Sequence, residues 1–295
     1  MKMDRTRPET APIKKLLYLL LLLSASTFAG PLPIWEVNTA DNRFVMMGSI
    51  HYLRPTDYPL PATFYTVLED ADLVLMELDT GNLDSLQTMM LMETVGRDSS
   101  GRTLKDLIGA DDYNDVSSRA TALGIPMMML NDKEPWYAAM LVSQVRLMQL
   151  GFDSAWGIET QFTAAAGQAG KPINGLETIE QQLSALDNLP FEVQLEFLQQ
   201  SLGDEAAADM NDMLEAWKSG DTSAMEQSLL IGMDGMPELY ESIVVNRNRN
   251  WVRQLEQLDF ENSGKTFLVI VGSMHLVGDD SVQELFGYEY GQLVD

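Results

Sequence analysis

Apolar positions gather into two short blocks near the start of the chain, Ile34-Trp35-Glu36-Val37 and Arg43-Phe44-Val45-Met46-Met47, with Asp41-Asn42 between them. Asp and Asn suit a tight turn, so the pattern predicts a β-hairpin. Helical spacing follows over 59–70, and then comes the near-continuous apolar run Asp72-Leu73-Val74-Leu75-Met76. Such a run suits a strand buried on both faces, which implies parallel pairing. Residues 82–150 read as mostly helical and Met-rich, interrupted at Gly96, Gly109 and Gly124-Ile125-Pro126, with Met127 to Leu130 as a short strand. Another short strand is expected over 171–176. From Thr178 to about Leu258 amphipathic helices are broken at Pro190, Gly203, Gly220 and Pro237, which reads as a helical insertion. The clearest strand pattern is Thr266-Phe267-Leu268-Val269-Ile270-Val271, followed by a short helix from Ser281. The sum is an α/β fold with a mixed, largely parallel central sheet, flanking helices and a helical insertion over about 178–258.

Composition adds compartment and partners. With 295 residues, 45% of them hydrophobic, and no Pro/Gly/Ser-rich linker dividing the interior, one domain over 30–295 is expected. Lys14-Lys15, the apolar run Leu16 to Leu23 and the small residues ending at Ala29 read as an export signal cleaved after Ala29. The mature protein is then periplasmic or secreted, without a stable membrane span; an uncleaved N-terminal anchor is the alternative. Cysteine is absent, which excludes disulfides, thiolate metal sites and a Cys nucleophile. The net charge is −25, and removal of residues 1–29 leaves 14 basic against 42 acidic side chains, or −28. Such a field repels phosphate backbones, so nucleic acid is excluded as a partner. The 19 methionines read as core filling rather than as a soft-metal site.

The candidate chemistry lies in a repeat. Phe44 to Leu53 and Leu268 to Val277 align without a gap: four apolar residues, Gly-Ser, an apolar residue, His, and two apolar or aromatic residues. They contain the two histidines of the chain, His51 and His275. Ligands of open α/β sheets bind beyond the carboxyl ends of the strands, so both rings are expected to face one crevice, unless they are structural. Glu77 and Glu177 each follow an apolar strand, and Glu159 follows Gly157-Ile158. Histidine and carboxylate at neighbouring strand ends are raw material for a divalent ion such as Mn, Fe, Co or Zn. Glu159 and Glu177 also have plain readings, as a first-turn carboxylate and a helix cap. Ile243, Arg247, Trp251 and Leu255 recur every four residues, with Asn248 beside them, so Arg247 lies on an apolar stripe and needs an anionic partner.

The chain resembles the TraB/GumN family, which is similar to the Tiki metalloproteases. The resemblance rests on Trp35-Glu36-Val37, Gly48-Ser49-Ile50-His51, Leu75-Met76-Glu77-Leu78-Asp79, Pro135-Trp136, Gly175-Leu176-Glu177-Thr178, Arg247-Asn248 and Gly272-Ser273-Met274-His275-Leu276-Val277-Gly278. It implies metal-dependent hydrolysis, with a peptide as the favoured substrate, centred on His51, Glu77 and His275. Glu159 departs from it, since Asp is common there. The reading that follows places a divalent ion on His51, Glu77, His275 and Glu159. Glu177 or Glu77 then serves as general base, and Arg247 with Asn248 stabilises the oxyanion. Two alternatives stay open: a metal-free esterase-like site with Ser49 or Ser273 as nucleophile, and a non-catalytic peptide binder.

The export reading predicts a soluble mature chain beginning at Gly30, checked by N-terminal sequencing of the exported protein. Full-length chain in a carbonate-washed membrane pellet would reject cleavage.

Overall fold

Hydrogen bonding joins six strands into one sheet in a computed structural model that describes residues 30–203 and 206–295. The export signal read at residues 1–29 lies outside the described residues. The strands are β1 (Pro31–Asn38), β2 (Arg43–Ser49), β3 (Leu73–Met76), β4 (Ile173–Gly175), β5 (Thr266–Gly272) and β6 (Tyr290–Val294), in the order β4-β3-β5-β2-β1-β6. The pairs β4/β3, β3/β5 and β5/β2 are parallel, while β2/β1 and β1/β6 are antiparallel. The expected mixed, largely parallel sheet is therefore present. Asn42 makes the hairpin turn and more: its amide donates to Asp259 Oδ1 (2.8 Å) and its Oδ1 accepts from Lys265 N–H (3.0 Å), so the turn is tied to the start of β5.

Phe44 to Met47 and Leu268 to Val271 are all 0% exposed, as expected for central strands covered on both faces. The cover comes from helices. After β2 comes α1 (Ala62–Asp70); between β3 and β4 lie α2 (Ser85–Val95), α3 (Leu104–Ala122), α4 (Pro135–Gln149) and α5 (Ile158–Ala169). Between β4 and β5 lie α6 (Ile179–Asp187), α7 (Phe191–Ser201), α8 (Ala206–Ser219), α9 (Thr222–Gly232), α10 (Pro237–Tyr240), a π-turn (Glu241–Val245) and α11 (Asn246–Glu261). The short α12 (Val282–Phe286) precedes β6. Phe64, Phe162 and Trp217, from α1, α5 and α8, pack edge to face, and Phe286 of α12 packs edge-on to Phe44. Helices α3, α4 and α7 build a second apolar cluster of their own around Leu104, Val116, Val142 and Leu198. Among the described residues no helix is long and apolar enough to cross a membrane.

The breaks at Pro190, Gly203, Gly220 and Pro237 fall between helices or at their starts. Three details differ from the sequence reading. Met127–Met129 is a 3-10 turn rather than a strand: Pro126 has no N–H to give a ladder, its carbonyl accepts from Met129 N–H (2.9 Å), and Met128 is 81% exposed. Strand β6 escaped the pattern because it is a mostly exposed edge strand with weak alternation. The third detail is register. Ser49 pairs with Gly272 and Gly48 with Val271, so the two Gly-Ser-x-His segments lie one residue out of step.

The start of α5 is docked on the chain just after β2. Ile158 N–H donates to Ile50 O (3.1 Å), and a Cβ on Gly157 would lie 2.1 Å from His51 O. Only glycine permits that approach. Gly157→Ala is expected to destabilise the fold by roughly 1–3 kcal/mol, the usual cost of overpacking, and to displace His51. Chemical denaturation and the His51 ring resonances check both effects.

Candidate active site

The strand ends deliver their side chains to one place. Glu77 follows β3 and Glu177 follows β4, and Glu177 N–H still donates to Glu77 O (3.0 Å), so the two acids are lateral neighbours. His51 follows β2 by two residues, and His275 sits in a 3-10 turn, Ser273–Leu276, directly after β5. Gly272 opens the space between them: a Cβ there would meet Glu77 Oε1 at 3.2 Å, His275 Cδ2 at 3.6 Å and His51 Nε2 at 3.8 Å. Gly48, one step out of register, opens instead onto Ser273 Oγ and Pro33 O. The repeated motif thus gives its two glycines different tasks.

Arg247 is the hub. Its Nη2 donates to Glu77 Oε2 and to Glu177 Oε1, both at 2.6 Å. Its Nε donates to Glu177 as well (3.1 and 3.2 Å), and Nη1 reaches Ile243 O (3.0 Å) and His275 Nε2 (3.1 Å). The five N–H bonds of a guanidinium are all used. The ring of Trp251, 4.7 Å below, adds a cation–π contact. Glu77 also accepts from the Gly272 N–H at Oε1 (2.7 Å) and from Gln182 Nε2 at Oε2 (3.1 Å). Burial alone would raise the Glu77 pKa, but Arg247, the histidines and the Gly272 N–H hold it well below the usual carboxylate range. Glu177 is raised instead, by burial and by Glu77 beside it, with Arg247 opposing.

Each histidine has its Nδ1 tied to an oxygen. Asn248 donates its amide to Asp280 O (2.8 Å) and His275 O (3.3 Å), so its Oδ1 faces His275 Nδ1 at 2.6 Å and must accept. That fixes the His275 tautomer, with the lone pair on Nε2. His51 Nδ1 lies 2.8 Å from Glu159 Oε1, which also accepts from Ser49 Oγ. His51 Nε2 is then the nitrogen left to face the cleft. The environments differ sharply: the His51 side chain is 57% exposed and that of His275 is 1% exposed, its ring packed 4.5 Å from Trp251. The Glu159 charge raises the His51 pKa to about 9. Burial lowers that of His275 to about 3.

All seven sequence candidates, His51, Glu77, Glu159, Glu177, Arg247, Asn248 and His275, meet here, but several in other roles than expected. Glu159 bonds His51 Nδ1 through Oε1, and its buried Oε2 has no hydrogen-bond partner. Both oxygens of Glu177 are taken by Arg247, and Arg247 and Asn248 have spent their donors on holding the site, not on an oxyanion. Ser49 Oγ donates to Glu159 and Ser273 Oγ to Ser49 O (2.9 Å), so neither hydroxyl bonds a histidine as a nucleophile would. Gln182 and the Gly272 amide were missed; a lone amide on a helix and a backbone N–H leave no signature in sequence. As the side chains stand, no three His, Asp or Glu among the described residues are grouped to hold one metal ion. The donor chemistry nevertheless fits one: two imidazoles anchored through Nδ1 to oxygen, and a carboxylate oxygen, around a position where a Cβ is missing. Arg247 Nη1 is the cation now resting on one of these donors.

A His/Glu/Arg constellation at the carboxyl ends of a mostly parallel sheet defines an α/β protein with a strand-end cleft. The family's model matches residues 33–289, and the chain belongs to the TraB/PrgY/gumN family. It is 23% identical over 267 residues to "Uncharacterized protein YbaP" of Escherichia coli (strain K12), covering 86% of this chain and 91% of that protein. It is 22% identical over 267 residues to the protein of the same name from Shigella flexneri, with the same coverage. No solved structure matches.

In the metal-free protein, imidazole NMR should show His51 losing its proton near pH 9 and His275 as a neutral Nδ1–H tautomer down to about pH 3. Because unfolded His titrates near 6.5, the His275 contribution to stability falls as pH drops from that value through about 3. A His275 ring protonated at pH 6 would contradict the geometry.

Proposed function

We propose that the chain is a metal-dependent hydrolase acting on peptides, with its reacting centre between His51 Nε2, Glu77 Oε1 and His275 Nε2. The observation that carries this reading is the pair of Nδ1 anchors, Glu159 and Asn248, which leave Nε2 of each ring to face the same carboxylate, as a lone pair in His275 and, once the proton held below about pH 9 is displaced, in His51. The peptide as substrate class follows the resemblance to the Tiki metalloproteases. His51, Glu77 and His275 would hold the ion, and Arg247 Nη1 would keep Ile243 O as its partner on giving up His275. When bound, a divalent ion lowers the pKa of water and polarises a carbonyl.

The chain's own residues divide the remaining work. Glu159 keeps a proton on His51 Nδ1, so that Nε2 stays available. Asn248 does the same for His275, and Trp251 holds that ring in place. Arg247 keeps Glu77 ionised in a buried setting. Glu77 Oε1, bonded to one N–H, is the carboxylate oxygen with a lone pair left for the ion. Sequestration of Arg247 also favours a second reading. With His275 Nε2 engaged, His51 backed by Glu159 is a metal-free imidazolium facing solvent, able to give a proton to a leaving group.

Metal analysis and peptide hydrolysis, before and after chelation, test the proposal. About one divalent ion per chain is expected, lost in His51→Ala, Glu77→Gln and His275→Ala, and bound roughly 10–100-fold more weakly in Glu159→Gln, as for removal of an anchoring partner. Activity that survives chelation but disappears in His51→Ala would select the metal-free reading. Full occupancy in both histidine variants would overturn the metal site.

A further inference from the structure

A cavity of about 220 Å³ opens beside the histidine cleft, between α6 and the helical run from the π-turn through α11. Its walls are unusual for a seam between helices, which normally close by interlocking apolar ridges. Ser242, Asn246, Asn250 and Gln254 recur every four residues and form one ridge, and Gln181 and Ser184 line the facing wall. Both ridges are polar and uncharged, Leu176, Ala185 and Trp251 complete the lining, and the seam stays open. Packing alone gives no reason for such a pair. The π-turn Glu241–Val245 heads the ridge, and insertions of this kind often accompany functional sites.

The lining also states what would bind. In a chain of net charge −25, the charged lining residues are Glu177 and Arg247, bonded to each other. Ser242 Oγ donates to Ala185 O, Gln254 Nε2 to Leu176 O, and Gln181 Oε1 accepts from Thr178 N–H. Asn250 Oδ1 accepts from Arg253 Nη2, so left over, among the described residues, are Gln181 Nε2 and Asn250 Nδ2 as donors, Gln254 Oε1 as acceptor, and the Ser184 hydroxyl and both ends of the Asn246 amide, which can do either. A primary carboxamide, with an acceptor oxygen and an NH₂ donor, matches that mixed set. A carboxylate lacks the donors, an ammonium lacks the acceptor, and either would bring a charge with no free partner. The volume is below the roughly 300–1,000 Å³ of sites for drug-sized ligands, so one side-chain-sized group fills it.

We infer that this cavity is a binding site for a neutral carboxamide of the glutamine or asparagine type, as a small molecule or as a side chain of a peptide lying across the strand ends. It shares Glu177 and Arg247 with the histidine cleft, so a bound peptide would reach both. The inference does not depend on hydrolysis.

The experiment is a titration of the full chain, and of its His51→Ala variant, followed through the Gln181 and Gln254 side-chain amide resonances. The probes are N-acetylglutamine amide, N-acetylglutamate amide and a glutamine-containing heptapeptide. Saturable shifts are expected with the glutamine probe in both proteins, with binding at least roughly tenfold weaker for the glutamate probe, the scale of one hydrogen bond. Asn246→Leu with Asn250→Leu should weaken binding by about the same factor. Both positions are exposed, and an unchanged His275 resonance certifies the fold. Tighter binding of the heptapeptide would identify a peptide subsite, and equal affinity a small-molecule site. Absence of saturation, equal affinity for the glutamate probe, or unchanged affinity in the double variant would overturn the inference, and retention of binding in His51→Ala separates it from any failure of the hydrolase reading.

Discussion

Two carboxylates buried side by side at neighbouring strand ends would repel each other and lose hydration; Arg247 makes their coexistence possible. An ionised acid in a water-poor setting is tolerated only when paired and hydrogen-bonded. Arg247 supplies pairing to both acids, and Gln182 and the Gly272 amide complete the shell of Glu77. Because the guanidinium also bonds Ile243 O and His275 Nε2, it joins β3, β4, the π-turn, α11 and the turn after β5 at one atom cluster. Removing one partner of such a buried set typically costs several kcal/mol, because the others stay buried without compensation. The position of α11 over the sheet and the shape of the cleft are therefore one constraint.

Much of this was legible in the residues. Apolar runs bounded by turn chemistry placed β1, β2, β3 and β5, and the gapless Gly-Ser-x-His repeat placed both histidines at strand ends. The four-residue stripe through Arg247 and Trp251 correctly demanded an anion for the arginine. What stayed hidden depended on contacts between distant segments. That Glu159 would bond His51 required the docking of α5 against Ile50, which no local pattern records. The one-residue offset of the repeat is decided by where β2 and β5 begin to pair, Arg43 with Thr266, and not by which residues look alike. Gln182 had no signature among other helix amides, and β6 is too exposed to carry a strand's apolar alternation.

Family membership and fold leave the cleft's chemistry to be read from its own geometry, since the relatives reported above bear no assigned activity in their names. Fold alone does not specify a reaction. The informative details are small: an asparagine whose amide must point one way, and a glycine whose absent side chain leaves room for three others.

The two copies of the repeat also part in their surroundings. One imidazole lies in water, its proton affinity raised by Glu159, and its counterpart lies against an indole, its proton affinity lowered by burial. Two copies of one motif have become the two poles of a gradient. At neutral pH the wet ring therefore carries a positive charge and the dry ring none, so the charge of the pair is held at the mouth of the cleft.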